Sequence, residues 1–228
     1  MSTYVIGDIH GNFLGFKQCL KRSKFNYKKD TLICLGDTAD GFPYVKECFD
    51  ELLKIKNLIY VLGNHDQWLL QWALYDRKPE IWTSQGGNRT LESYDYEKPP
   101  LEHINLLSNA HLIYHQGNDI FVHGGIEPNK KLENQIADIV IWDRDLLSHA
   151  HWKHNQKPSY KYGGFDNIYI GHTTTQMYHS IEPLHYCNVW AMDTGGGWSG
   201  KITIMNIDTK KYWQSDLTKD LYPTIRGR

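Results

Sequence analysis

Five short apolar runs in this chain end in the same way, and that repetition narrows its fold more than any other feature. "YVI" (4–6) leads into "GDIHG", "LICL" (32–35) into "GDTAD", "IYVL" (59–62) into "GNHD", "IFV" (120–122) into "HGG", and "IYI" (168–170) into "GHT". β-Branched, aromatic and aliphatic runs without polar alternation predict strands buried on both faces, and glycine just after a run marks a sharp turn or close backbone approach. Each run is thus expected to be a core strand whose tip carries a side chain able to bind a metal. Ligand sites in α/β sheets form beyond the carboxyl ends of strands, so tips spread from position 8 to position 172 can converge on one place.

Between the tips the periodicity is helical. "FLGFKQCLKRS" (13–23) spaces Phe13, Phe16, Cys19 and Leu20 for one helix face, and "YVKECFDELLKI" (44–55) does so with Val45, Cys48, Phe49, Leu52 and Leu53. From Asp66 to about Ala110 the character changes to tryptophan-rich helical stretches, read as a helical cap inserted over about 67–110. The later half carries hairpin signals: "HQGND" between two strand runs, and "GGGWSG" (195–200) between "VWAM" and "KITIMNI". Residues 208–228 read as a polar, partly mobile tail.

Composition excludes more than it selects. A chain of 228 residues fits a single domain over 1–228, and 25 basic against 26 acidic residues leave no field that would favour nucleic acid or a membrane surface. No stretch approaches the ~20 apolar residues of a membrane span, and "MSTYVIGDIHG" runs straight into a strand without a charged leader, so a cytoplasmic protein is expected. Cys19, Cys34, Cys48 and Cys187 form no Cys-x-x-Cys pair and fall within apolar patterns, as reduced core thiols would.

The tips carry the chemistry. Residues two apart in an extended segment point the same way, so Asp8 and His10 can reach one ion together. Asp37 adds a carboxylate whose two oxygens can bridge two ions, while Asn64, His123 and His172 add an amide oxygen and two imidazoles. Such a mixed set suits manganese, iron or zinc. Two cations ~3.5–4 Å apart can hold a bridging hydroxide as nucleophile and clamp a phosphoryl oxygen for in-line attack. Hydrolysis of a phosphoester is the expected reaction.

"GDIHG", "GDTAD", "GNHD", "HGG" and "GHT", in that order, resemble the five-part signature of calcineurin-like metallophosphoesterases, above all the compact bacterial and phage serine/threonine-type protein phosphatases. The resemblance runs from about residue 3 to residue 205. It implies an α/β fold of two central mixed β-sheets forming a sandwich flanked by helices. It also implies that Asp8, His10 and Asp37 hold one divalent ion and Asp37, Asn64, His123 and His172 the other, with Mn2+ the expected metal. By the same resemblance His65 is the general acid, Asp40 the carboxylate that orients it, and Asn64 a further contact to the substrate phosphate.

One departure bears on substrate. The family usually reads Asp-Arg-Gly after the second strand, whereas this chain has Asp40-Gly41-Phe42, so the arginine that helps grip phosphate is missing. Either the substrate group carries less charge, as in a phosphodiester, or a cation comes from elsewhere. Arg144 falls where related phosphatases have an arginine after tryptophan, and its planar fork suits two phosphate oxygens, although a surface ion pair would explain it equally. Arg89 in "QGGNRT" is a second candidate without motif support.

Other polar residues have plainer readings. His103, His111, His115, His149, His151, His154, His179 and His185, including the "HAHWKH" string, read as structural or surface histidines, and Asp193 as a turn residue. Trp68, Trp72 and Trp82 read as cap filling, with base stacking the minority alternative. The preferred function is a dinuclear phosphomonoesterase of the serine/threonine protein phosphatase type acting on a phosphoprotein or small phosphoester. The alternatives are a nucleotide-directed hydrolase of diadenosine polyphosphates or cyclic nucleotides, and a metal-stabilised binding module without catalysis.

Overall fold

The computed structural model describes residues 1–227 and bears out the alternation of strand and helix. The chain runs β1 (Thr3–Ile6), α1 (Phe13–Arg22), β2 (Thr31–Cys34), α2 (Val45–Leu52) and β3 (Asn57–Tyr60). A helical stretch follows: α3 (Asn64–Tyr75), α4 (Glu80–Trp82), α5 (Asn88–Ser93) and α6 (Leu101–Ser108). Then come β4 (Ile113–Gln116), β5 (Asp119–Val122), α7 (Ala137–Trp142), α8 (Asp145–His154) and β6 (Asn167–Ile170). The last elements are β7 (Leu184–Tyr186), β8 (Val189–Ala191), β9 (Thr203–Asn206), β10 (Tyr212–Gln214) and α9 (Thr218–Leu221). Among the described residues, no helix is long and apolar enough to cross a membrane.

The strands form two mixed five-stranded sheets, ordered β10-β9-β1-β2-β3 and β4-β5-β6-β8-β7. In the first, β1, β2 and β3 are parallel and β9 and β10 add antiparallel. In the second, β5, β6 and β8 are parallel, with β4 and β7 antiparallel at the edges.

Side-chain alternation along the strands explains why they lack polar alternation. Val5, Ile33 and Met205 of the first sheet meet Phe121 and Tyr169 of the second in one shared core layer. Their neighbours Ile6, Leu32, Cys34 and Ile204 face the other way, into a core with Phe16, Cys19, Phe49 and Leu52 from α1 and α2. On the far side Ile120, Val122, Ile168 and Ile170 pack with Val140, Leu146 and Leu147 of α7 and α8. Every central strand is thus covered on both faces, and polar residues are displaced to its ends. Phe121 and Tyr169, neighbours on β5 and β6 of the second sheet, stack within the shared core layer with ring centroids 4.8 Å apart and planes 3° from parallel.

The helices follow their predicted faces. Asn12 caps α1, its Oδ1 accepting from Gly15 N at 3.0 Å, and Lys21 and Arg22 close the helix where its dipole favours cations. In α2 the buried stripe is Val45, Cys48, Phe49 and Leu52; Leu53 lies outside it, 41% exposed. All four cysteines are free and buried.

Three expectations about connections meet different fates. "HQGND" is the turn of a hairpin, β4 pairing β5 from Ile113↔Val122 to Gln116↔Asp119. "GGGWSG" is not a hairpin turn. It carries the chain from β8 in the second sheet to β9 in the first, because β8 has already paired with β7 through the turn at Cys187 and Asn188. The glycines that suggested a turn serve close approach to the site described below. Of the segment beyond Ile207, expected to be polar and partly mobile, the described residues up to Tyr222 pack into the fold: β10 pairs β9, and the hydroxyl of buried Tyr222 accepts from Leu14 N at 3.0 Å.

Candidate active site

All five strand tips converge. Asp8 and His10 follow β1, Asp37 follows β2, Asn64 opens α3 after β3, and His123 and His172 follow β5 and β6; all six are buried. Two groups place one ligand atom from each residue within 4.8 Å of the others: Asp8, His10 and Asp37, and Asp37, His123 and His172. Asp37 belongs to both groups, as a bridging carboxylate would. Asn64 joins the second, its Oδ1 3.1 Å from His123 Nε2.

The backbone is bent to deliver these side chains. His10 (φ 49°), Asp37 (φ 49°), Asp40 (φ 70°) and His172 (φ 60°) all adopt left-handed conformations that non-glycine residues rarely take. Such strain clusters where the surrounding structure fixes a functional geometry. Glycine makes the approach close: a Cβ on Gly63 would sit 2.1 Å from Asp37 Oδ1, and one on Gly171 2.3 Å from Asp8 Oδ1.

Hydrogen bonds set the imidazole tautomers. Nδ1 of His10 donates to the Ala39 carbonyl at 2.9 Å, and Nδ1 of His123 to the Leu35 carbonyl at 2.7 Å. In the neutral rings the lone pairs therefore fall on Nε2, which face the shared carboxylate: His10 Nε2 is 3.6 Å and His123 Nε2 3.2 Å from Asp37 Oδ2. His172 is arranged the other way, Nε2 donating to the Trp142 carbonyl at 3.2 Å, so its lone pair is on Nδ1. Two links cross between the sheets here. His172 N donates to both Asp8 oxygens at 3.1 and 3.2 Å, and His123 in the second sheet holds Leu35 at the end of β2.

Charge in this cluster is built for a cation. Burial raises the Asp37 carboxyl, but His123, His65 and His10 outweigh it and hold it well below the usual carboxylate range. Burial lowers His123, yet Asp37 and Asp8 pull it up to about 9. Buried carboxylates, imidazoles set by backbone carbonyls and an amide oxygen form a donor set that fits divalent ions.

His65, the second residue of α3, lies beside the cluster. Its Nδ1 is 2.5 Å from Asp40 Oδ2, and its ring is held edge-on between His10 (5.0 Å) and Trp68 (4.9 Å). Burial pushes the Asp40 carboxyl up to about 7, against the opposing pull of hydrogen bonds from Thr90 and Trp82. Thr90 Oγ1 donates to Oδ1 at 2.5 Å, and Trp82 Nε1 lies 2.9 Å from both oxygens. Trp82 is thus interior, as read from the sequence, but it also holds the carboxylate that faces His65.

The sequence reading assigned no role to Asp66, which organises the whole β2 tip. Its buried carboxylate accepts from Asp37 N (2.7 Å), Thr38 N (3.0 Å), Ala39 N (3.1 Å), Gly63 N (3.2 Å) and the Tyr60 hydroxyl (2.9 Å). Burial, and then Asp37, raise it to about 6. The signal was present as the last letter of "GNHD", at the third position of a helix, where a carboxylate reaches back to the orphan N–H groups.

The arginines separate. Arg144 is exposed just before α8, its Nη1 donating to the His172 carbonyl at 3.2 Å, and it lines a cleft with His172, Met177 and Trp198. Arg89 instead pairs with Glu92 at 2.7 Å on α5. Asp193 forms a turn, its Oδ1 accepting from Gly195 N at 2.9 Å, and the histidines of "HAHWKH" sit on α8 among Tyr162, Tyr178 and Tyr186, outside both ligand groups.

Comparison with known proteins agrees with this geometry. The model of one family, calcineurin-like phosphoesterase, matches residues 1–176. Serine/threonine-protein phosphatase 1 of Salmonella typhimurium is 24% identical over 217 residues, covering 90% of this chain and 91% of its own. The symmetrical bis(5'-nucleosyl)-tetraphosphatase of Coxiella burnetii is 25% identical over 280 residues, covering 95% and 93%. Among solved structures, a metallophosphoesterase from Sphaerobacter thermophilus superposes with a TM-score of 0.60 at 16% identity, covering 98% of this chain and 93% of that one.

Proposed function

The chain belongs to the calcineurin-like phosphoesterase family and is a hydrolase of phosphoesters; from that premise we propose a dinuclear metal-dependent phosphomonoesterase of the serine/threonine protein phosphatase type. One observation carries the reading: two buried three-residue ligand groups share Asp37, beside an imidazole paired with a carboxylate. Asp8, His10 and Asp37 would hold one ion, and Asp37, Asn64, His123 and His172 the other, with manganese the metal of first choice. When bound, the ions supply the positive charge that activates a water and screens the phosphoryl oxygens.

The chain's own residues do the rest. His65 Nδ1 faces Asp40, which keeps the ring oriented and its Nε2 directed as the proton donor to the leaving oxygen. Thr90 and Trp82 fix Asp40 in turn, so the acid is positioned from the helical stretch and not from the sheets. Arg144 offers its guanidinium at the rim of the cleft that His172 lines. A binding module without catalysis would have no use for this four-residue chain of hydrogen bonds.

A second reading, hydrolysis of nucleotide phosphoesters, draws on the 43%-exposed Trp198 and 63%-exposed Met177 lining that cleft, apolar surface on which a base could lie. A panel of aryl monoester, bis-aryl diester, phosphopeptide, diadenosine tetraphosphate and cyclic nucleotides, offered to manganese-loaded protein, separates the readings. Preference for the monoester and phosphopeptide supports the phosphatase. Preference for dinucleotides or diesters replaces it with the nucleotide reading, and no turnover at full metal occupancy leaves the binding module.

A further inference from the structure

A phosphomonoester brings a dianion to the site, and the described residues next to the ligand groups offer few cations to meet it. Arg144 has one donor committed to the His172 carbonyl, and Arg89 is paired with Glu92. A third guanidinium lines a neighbouring groove. Arg226 lines a groove with Phe42, Trp198, Ser199 and Lys219, while Trp198 and Ser199 also line the cleft that holds Arg144 and His172. Arg226 is exposed and forms no ion pair among the described residues.

The groove adjoins the metal ligand His10 on two sides. Phe42 N donates to the His10 carbonyl at 2.9 Å, and a Cβ on Gly197 would lie 2.3 Å from His10 Cδ2. The residue after Arg226 packs into this angle: a Cβ on Gly227 would meet the Gly197 carbonyl at 2.4 Å and the Phe42 ring at 2.8 Å. Tyr222 secures the segment from below, its ring 4.7 Å from that of Phe42 and its hydroxyl accepting from Leu14 N. Phe42, which follows Gly41 where the chain has no arginine, is therefore the surface on which the arginine-bearing segment docks.

The geometry points to Arg226 as a substrate-binding residue that takes the terminal phosphate dianion together with Arg144, each guanidinium lining a cleft that has Trp198 in its wall. This rests on the phosphomonoesterase reading and deepens it, because two guanidiniums suit a monoester dianion better than a singly charged diester.

The test uses the full-length manganese-loaded protein and its R226Q, R226K, K219Q and R144Q variants, with metal content and melting temperature measured first. R226Q is expected to raise KM for an aryl phosphate monoester about tenfold with a much smaller change in kcat, as loss of one charge-assisted contact predicts. R226K should recover part of the loss, and KM for a bis-aryl diester should change little. Calorimetric titration with inorganic phosphate gives a readout independent of turnover, with affinity about tenfold weaker in R226Q than in wild type. Unchanged monoester KM and phosphate affinity in R226Q would overturn the inference, as would the full effect appearing in K219Q instead. Should wild type hydrolyse no monoester, the functional reading falls by itself, and the phosphate titration still decides the role of Arg226.

Discussion

His65 Nδ1 and Asp40 Oδ2 lie 2.5 Å apart with both side chains fully buried, and Asp40 is held from behind by Trp82 and Thr90. A buried pair so tightly surrounded has one orientation, which is what proton donation to a fixed leaving group requires. His65→Asn should lower kcat by about 10²–10⁴ for an aryl phosphate with a poor leaving group, the range of a lost general acid. Metal content should stay at the wild-type value. Turnover like wild type in that variant would remove the acid from His65.

Asp40 also gives a pH dependence. Its carboxyl is raised to about 7 by burial, so between its ordinary value of 3.8 and about 7 the folded chain holds a proton that the unfolded chain has released. Its contribution to stability is complete below pH 3.8 and is lost as pH rises through about 7. At full ionisation that loss is on the order of 4 kcal/mol. Urea unfolding of metal-free wild type and Asp40→Asn from pH 4 to pH 8 should show wild type falling relative to the variant across that window.

Asp66→Ala strips acceptors from four backbone N–H groups and one hydroxyl in a buried loop. A destabilisation of about 3–5 kcal/mol is expected, with metal binding lost because Asp37 is no longer positioned. Asp66→Asn keeps one acceptor oxygen and should fall between, and Tyr60→Phe should cost only about 1 kcal/mol. Calorimetric melting of the three variants checks the order.

Metal stoichiometry follows from the shared carboxylate. Wild type should bind two manganese ions per chain, and Asp37→Ala should weaken both sites, whereas Asp8→Ala should weaken one. Because His123 is raised to about 9 without a cation, its ring must shed a proton when an ion takes Nε2 at neutral pH. Affinity should therefore rise with pH toward about 9, and titrations in buffers of different ionisation enthalpy should count the proton released.

The tips were legible in the sequence because a doubly buried strand can place polar groups only at its ends. Asp8, His10, Asp37, Asn64, His123 and His172 could each be read from an apolar run and the residues after it. Asp66, Thr90 and Trp82 could not be assigned in the same way. Thr90 and Trp82 act only because α4 and α5 fold back onto the β2 tip, a tertiary relation with no local pattern, whereas the helix-start position of Asp66 marks a cap but not the tip it serves. The "GGGWSG" connection misled for a related reason: glycine marks close approach as readily as a turn, and only the pairing of β8 with β7 distinguishes them. Arg226 lies in a segment whose polar composition hid the anchoring by Tyr222.

The division of the candidate ligands between the sheets has a mechanical consequence. Asp8, His10 and Asp37 follow strands of one sheet and His123 and His172 strands of the other, so an ion held by Asp37 and His123 would rivet the two halves of the sandwich at their rim. Parting the layers would then mean breaking coordination bonds as well as opening the core layer shared by the two sheets. Loading the site should slow amide exchange in β2 and β5 together even with no substrate present, and make the ion a clasp on the fold as much as a reagent.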